Sequence, residues 1–420
     1  MTRLALLLLV FAALLAPAQA LSGQSAIDVR SDSARSDFPN GFAFALEAAS
    51  DAGFDEVRLV YQVAPDGVRA SALATCAGGT VATCNFQLAA TPQNVIIPGA
   101  EVTYFWRITS GGVTQETEPQ LVTYVDSRFE WRTVSDGQIT VSYYSGEEDD
   151  ARAVMSAARE SLDENSARLQ TTVDFPIKVF FYASAREMQP AILASDVEGS
   201  VILGEVVYSD TAMVAADAVP VNIARHEIAH IVVRQAVKKP YEVPDWLNEG
   251  LAVFSQSEPL SDQRDALESA IERDDVFSVR AISSASVGSQ GSAVSLFYGQ
   301  SWSLVTYLIE TYGEQQFADL FRAFAGGATT AEALEQVYGF DQDGLENEWR
   351  ASVGLPPRAI PTRTGDNAAV PTAPRVPTDP ASSDDDGGTS IGLIIAIVAL
   401  TVVLAGGLGV GGVLVARRYR

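Results

Sequence analysis

Histidine is almost absent from this sequence, because its 420 residues contain only His226 and His230. Cysteine is equally scarce, with Cys76 and Cys84 alone, which excludes a cysteine-rich metal cluster and a dense disulfide framework. Basic residues are outnumbered, with 28 Lys and Arg against 53 Asp and Glu and a net charge of −25. Because nucleic-acid backbones need a basic surface, the charge excludes nucleic-acid binding.

The two cysteines lie close together in "TCAGGTVATC", with a Gly-Gly pair between them. Glycines at this spacing are typical of a turn between two strands. We expect a local disulfide between Cys76 and Cys84 if the chain is exported to an oxidising compartment, with two free thiols as the alternative.

Both ends of the sequence predict export and membrane attachment. Residues 1–20, "MTRLALLLLVFAALLAPAQA", have the basic start, apolar run and small-residue end of a secretory signal peptide. Residues 391–416 carry no charge and are long enough for one transmembrane helix, and the Arg-rich tail 417–420 predicts a cytoplasmic C-terminus. The predicted location is a cell membrane, single-pass, with the N-terminal bulk outside. Gly407 and Gly411 form a GxxxG pair, which leaves weak self-association open.

The sequence between these ends divides into three parts. Residues 21–125 read as short alternating strands such as "DEVRLVYQV" and "EVTYFWRIT", which predicts an all-β sandwich of immunoglobulin or fibronectin type with Trp106 in its core. Residues 129–353 place strands first and helices after Pro220, which predicts an α+β domain. Residues 355–390 are rich in Pro, Ser, Thr and Asp and predict a disordered linker.

The two histidines share one short motif, "HEIAH", at residues 226–230. On a helix, residues four apart return to the same face, so both imidazoles can bind one ion. Glu227 then lies close enough to act as a general base on a water at that ion. This HExxH pattern is typical of a zinc site, because one helical turn places two ligands at about 2 Å from a tetrahedral ion.

A catalytic zinc site needs a third protein ligand and an open position for water. With no other histidine in the chain and neither cysteine nearby, a carboxylate is the remaining choice. Glu249 follows His230 after eighteen residues (231–248), and "KKP" and "VP" between them predict a loop before a second helix. An antiparallel return of that helix would place Glu249 opposite His226 and His230, and one zinc ion is the expected cofactor.

"HEIAH" and "NEGLA", with eighteen residues between His230 and Glu249, together resemble the gluzincin zinc metallopeptidases, in particular the peptidase MA-like domain. The resemblance covers about residues 130–353 and implies an active site in a cleft between two lobes. It implies that His226, His230 and Glu249 are the metal ligands and Glu227 the catalytic base. The Gly-x-Met-Glu-Asn stretch of M1-type aminopeptidases is missing. Val253 stands where some gluzincins have an Asp that orients a histidine, a role left to Asn248 or a backbone carbonyl.

The sequence therefore predicts a membrane-anchored, extracytoplasmic zinc metallopeptidase that acts on peptide or protein substrates. Tyr298 is the candidate donor to the developing oxyanion, with Tyr208, Tyr241 and Tyr307 as rivals. Two alternatives stay open: a non-catalytic surface binding protein with a structural zinc site, and a zinc amidase acting on cell-wall peptides.

Overall fold

The computed structural model describes residues 27–64, 67–91, 94–192, 200–217, 219–238, 243–256, 258–284, 291–359 and 400–405. For 200–208 and 400–405 it describes the backbone alone. The predicted signal peptide, most of the predicted linker and the predicted cytoplasmic tail lie outside these residues.

The first part of the described chain is built from short strands. In chain order they are β1 Asp28–Asp37, β2 Gly41–Ala49, β3 Glu56–Ala64, β4 Ala70–Leu73, β5 Thr75–Gly78, β6 Val81–Ala89, β7 Glu101–Ser110, β8 Val113–Glu116 and β9 Gln120–Thr123. One antiparallel sheet has the order β1-β2-β6-β5. The other has the order β4-β3-β7-β8, with β9 also paired to β7. These are the A-B-E-D and C′-C-F-G orders of an immunoglobulin-type sandwich.

Alternating side chains of the two sheets form the core between them. Every second residue of β2 is buried, as the pleat of a strand with one apolar face requires. Phe44 of β2 meets Tyr104 of β7 edge to face, with ring centroids 4.8 Å apart. Trp106 is fully buried, and its indole N–H donates to Asp32 at 3.0 Å, so it is the core residue that the sequence predicts.

The predicted disulfide is present. Cys76 on β5 and Cys84 on β6 are directly opposite each other in the antiparallel pair and are joined by an S–S bond. The bond closes the Gly-Gly turn expected from the spacing of the two cysteines. The disulfide prediction is therefore confirmed, and neither cysteine is available as a metal ligand.

A buried polar contact joins the sandwich to the second part of the chain. Asp126, fully buried just beyond β9, accepts a hydrogen bond from the Tyr182 hydroxyl at 3.0 Å and forms an ion pair with Arg128. The ammonium group of Lys178 donates to the carbonyl oxygen of Gly99 at 3.0 Å. Because these contacts are buried or half-buried, they fix the two parts against each other rather than tethering them loosely.

The second part begins with a mixed sheet of order β10-β11-β12-β14-β13-β15. Its strands are β10 Arg132–Ser135, β11 Ile139–Tyr143, β12 Ile177–Tyr182, β13 Ser200–Tyr208, β14 Thr211–Ala215 and β15 Leu400–Ala405. Strands β11, β12 and β14 are parallel, and β10 and β13 pair with them antiparallel. The central strands β12 and β14 read as almost continuous apolar runs, as strands covered on both faces do.

The predicted transmembrane helix over 391–416 is not shown. Within this segment the structure describes residues 400–405 only, and they form β15, which pairs antiparallel with β13. The sequence of β15, "LTVVLA", combines apolar and β-branched residues and so suits an edge strand as well as a membrane helix. In the described part of the chain, no helix combines the length and apolar character that crossing a membrane requires.

Helices dominate the remainder, as the sequence predicts for the region after Pro220. They are α1 Glu148–Arg168, α2 Ala185–Ile192, α3 Pro220–Val237, α4 Asp245–Ser255, α5 Ser261–Arg273, α6 Gly291–Tyr312, α7 Glu314–Ala325, α8 Thr330–Tyr338 and α9 Gln342–Ser352. Helix α3 packs between α1, β14 and α4, and α4 packs in turn on α6. The prediction of a β-rich region followed by an α+β domain is confirmed.

Candidate metal centre

Helix α3 carries both histidines of the chain on one buried face. Pro220 occupies the start of the helix, where its missing N–H costs nothing, and Lys238 ends it in the left-handed conformation. His226 and His230 are 1% and 2% exposed, and their ring centroids lie 4.9 Å apart. The two imidazoles are therefore adjacent and directed to one place, as the i, i+4 spacing predicts.

Helix α4 brings the third predicted ligand to the same place. Oε2 of Glu249 lies 3.3 Å from Nε2 of His226 and 3.8 Å from Nε2 of His230. The ligand atoms of these three residues all lie within 4.8 Å of one another, and all three side chains are buried. Two helices that are separated in sequence by a loop thus present three donor atoms to a single point.

Burial makes these contacts different from an ordinary ion pair. It lowers the pKa of His226 to about 3 and that of His230 to about 4. Both imidazoles are therefore neutral near pH 7, which is the form that binds metals. Burial raises the pKa of Glu249 to about 8, while His230 acts in the opposite direction and Asp245 adds to the rise.

The residues fit a divalent metal ion by a second criterion. Nε2 of His226, Nε2 of His230 and both carboxylate oxygens of Glu249 are buried and accept or donate no hydrogen bond within the described chain. Buried polar atoms are normally satisfied, and four such atoms converging on one point is a costly arrangement without a cation. Imidazole nitrogen and carboxylate oxygen are both ligands that zinc accepts.

The Nδ1 atoms of His226 and His230 each face a side-chain amide. One amide lies on α4, the helix of Glu249, and the other on the residue directly after that helix. Oδ1 of Asn248 lies 3.1 Å from Nδ1 of His230, which is the partner that the sequence offered as one of two choices. Nε2 of Gln256 lies 3.0 Å from Nδ1 of His226, a contact that sequence analysis missed. Gln256 directly follows the last residue of α4 in an extended conformation, so no helical period in the sequence points to it.

Glu227 and Tyr298 lie next to this cluster. Glu227 follows His226 directly and is fully buried on α3. Tyr298 on α6 is 4% exposed, and its ring centroid is 6.2 Å from that of His226. Burial raises the pKa of Tyr298 well above its usual value, with the charges of Glu249, Glu227 and Asp245 acting in the same direction. Its hydroxyl therefore stays protonated and can donate a hydrogen bond.

The rival tyrosines are placed differently. Tyr307 lies nine residues beyond Tyr298 on α6, and its ring centroid is 6.0 Å from that of Tyr312. Tyr241 and the side chain of Tyr208 lie outside the described residues. Asp245 is another residue that sequence analysis missed: it lies one turn before Glu249 on α4, and burial raises its pKa to about 6.

Comparison with known proteins finds a family whose model matches this region. Residues 157–354 match the model of the Peptidase MA superfamily. The match starts within α1 and includes both helices of the His-His-Glu cluster and the helices that follow. This part of the chain is therefore similar to the Peptidase MA superfamily, and the resemblance read from "HEIAH" and "NEGLA" is confirmed.

Two solved structures of an M1 zinc metallopeptidase from Deinococcus radiodurans are similar to the chain. One is a point mutant, 14% identical, with a TM-score of 0.36, covering 79% of this chain and 96% of its own. The other is 15% identical, with a TM-score of 0.35, covering 80% and 97%. A third structure, a Br derivative of BhCBM56, is 14% identical with a TM-score of 0.18 and covers 23% of this chain and 98% of its own. No curated protein matches the sequence.

Proposed function

We propose that this protein is a membrane-anchored, extracytoplasmic zinc metallopeptidase that hydrolyses peptide bonds. The convergence of three buried donor atoms from His226, His230 and Glu249 carries the proposal. The superfamily match over residues 157–354 supports a peptidase, and the neutral imidazoles support zinc as its metal.

The number of ligands favours a catalytic ion over a structural one. Structural zinc sites are closed by four protein ligands, whereas catalytic sites keep one position for water. Among the described residues, no fourth His, Cys, Asp or Glu joins the three. The cysteines are held in the disulfide between β5 and β6.

Each nearby side chain has a role in this proposal. A zinc ion held by His226, His230 and Glu249 would polarise the scissile carbonyl and acidify water. Glu227 accepts the proton of the attacking water and passes it to the leaving amine. Tyr298, kept protonated by burial, donates a hydrogen bond to the carbonyl oxygen as negative charge develops there.

Membrane anchoring is supported by the sequence. The proposed anchor is the uncharged segment 391–416, followed by Arg417, Arg418 and Arg420, and the proposed spacer is 355–390. Anchoring requires residues 400–405 to exchange their pairing with β13 for the membrane. Fractionation of cells that express the full chain tests this: the protein is expected in the membrane fraction, with its peptidase domain open to added protease from outside. Removal of residues 391–420 is expected to release it, and unchanged membrane association would contradict the anchor.

The catalytic proposal is tested on the purified full chain with a library of peptides that includes cell-wall peptides. We expect about one bound zinc per chain and cleavage that a chelator abolishes. Glu227→Gln is expected to keep its zinc and lose hydrolysis by about 1,000-fold or more, because the base is removed but not a ligand. Glu268→Gln, an exposed glutamate of α5, is the control. Undiminished cleavage by Glu227→Gln, or cleavage of cell-wall amides alone, would reject the proposal.

A further inference from the structure

The helix that carries Glu249 also brings two amides to the histidines. Asn248 lies within α4, and Gln256 is the residue directly after the last residue of that helix. Each amide lies within hydrogen-bond distance of one Nδ1 atom, Asn248 on His230 at 3.1 Å and Gln256 on His226 at 3.0 Å. Both contacts are on the side of the ring opposite the nitrogen that faces Glu249.

The end of α4 is held firmly enough for such a contact to be precise. Nε of Arg225 donates to the backbone oxygen of Ser255 at 2.5 Å, and the Ser255 hydroxyl donates to Asn165 at 3.1 Å. Arg225 precedes His226, and Ser255 precedes Gln256. The residues directly before His226 and Gln256 are therefore joined by a hydrogen bond. Gln256 itself is only 5% exposed.

Metal binding through Nε2 sets a requirement at the other ring nitrogen. A neutral imidazole that uses Nε2 as a ligand carries its proton on Nδ1, so the facing atom must accept a hydrogen bond. The oxygen of Asn248 already faces His230. Gln256 turns its nitrogen to His226, and its own buried oxygen accepts no hydrogen bond within the described chain. A half-turn of this amide exchanges the two atoms and meets the requirement.

We infer that Gln256 is a positioning residue that holds the ring of His226 for metal binding through Nε2, with the amide oxygen facing Nδ1 in the metal-bound state, as Asn248 faces Nδ1 of His230. This inference rests on the proposed zinc site. Val253 is buried and apolar at the place where some gluzincins have an aspartate. An amide fixes the ring without adding a charge to a buried site that already holds Glu227 and Glu249.

The scarcity of histidine makes the test direct. In the full chain labelled with 15N-histidine, every imidazole signal comes from His226 or His230. In the zinc-loaded chain, we expect His226 and His230 both to carry their ring proton on Nδ1. In zinc-loaded Gln256→Met, the slowly exchanging Nδ1–H proton of His226 is expected to disappear while that of His230 remains. Asn248→Leu is expected to give the reverse.

Zinc affinity, measured by competition with a chelator, is the second readout and needs no peptide substrate. Gln256→Met is expected to bind zinc about 10- to 100-fold more weakly. Gln256→Glu is expected to restore the affinity, because a carboxylate accepts the Nδ1–H proton in either orientation. Gln263→Met removes another buried glutamine, on α5, and is expected to leave zinc affinity unchanged.

Three results would overturn the inference. Unchanged zinc affinity and an unchanged His226 signal in Gln256→Met would remove the positioning role of Gln256. A zinc-loaded His226 without a proton on Nδ1 would contradict the hydrogen bond assigned to the Gln256 oxygen. If the unaltered chain bound no zinc, the proposed function and this inference would both be wrong, whereas zinc binding with no effect of Gln256→Met would contradict the inference alone.

Discussion

Gly250 on α4 and Ser301 on α6 meet backbone to backbone. A Cβ atom added to Gly250 would lie 2.3 Å from the carbonyl oxygen of Ser301, closer than real side chains approach. Gly250 directly follows Glu249, and Ser301 is one turn beyond Tyr298 on the same helix. The absence of a side chain at Gly250 therefore sets the separation between the helix of the proposed third ligand and the helix of the proposed oxyanion donor.

Gly250→Ala is expected to destabilise the domain by about 2–3 kcal/mol, because neither backbone can move without shifting a packed helix. We expect a lower zinc affinity as well, since Glu249 would move with α4. Denaturant unfolding and a zinc competition assay measure the two effects. Gly79→Ala is the matched control, because an added Cβ there meets no atom within 4 Å. Equal stability of the two variants would show that α4 and α6 adapt to the methyl group.

Tyr298→Phe is expected to lower kcat by about 100-fold with little change in zinc content, because one hydrogen bond to the developing oxyanion is lost. Tyr307→Phe removes a hydroxyl from the same helix, beside Tyr312 rather than beside His226, and is expected to keep full activity. Steady-state kinetics with a cleaved peptide gives both values. A loss in Tyr307→Phe equal to that in Tyr298→Phe would assign the effect to α6 packing.

The sequence predicts the chemistry of the site better than its surroundings. Helical periodicity alone places His226 and His230 on one face, and the lack of other ligands leads to Glu249 across a loop. The role of Gln256 was missed because it follows the last residue of α4 and reaches His226 only through tertiary packing. For the segment 391–416, local sequence does not decide the secondary structure, because the same apolar residues suit a membrane helix or a strand such as β15.

Removal of the metal is expected to lower the stability of the α+β domain that contains α3 and α4. A ligand that binds only the folded state stabilises it by about 2.7 kcal/mol when its free concentration is 100 times Kd. Thermal unfolding of the full chain with zinc and with a chelator measures this difference. His226→Gln/His230→Gln is the control and is expected to unfold at the same temperature in both conditions. A zinc-dependent shift that persists in this control would place the stabilising ion elsewhere.

The folding stability of the metal-free chain is also expected to depend on pH, through His226, His230 and Glu249. The folded state lowers the pKa of His226 to about 3 and of His230 to about 4 from 6.5, so the unfolded state binds more protons between these values. Stability from the histidines is therefore lost as pH falls below 6.5. The folded state raises the pKa of Glu249 from 4.5 to about 8, so its contribution is lost as pH rises through that window.

Because two histidines outweigh one carboxylate between pH 4.5 and 6.5, the combined contribution is expected to peak near pH 6.5 and to decline towards pH 8. Denaturant unfolding of chelator-treated protein across this range measures the curve. Subtracting the curve of the variant with Gln at all three positions cancels the titration of the other residues. A difference curve that is flat from pH 4 to 8 would mean that none of the three residues changes its pKa on folding, which is incompatible with the buried geometry of His226, His230 and Glu249.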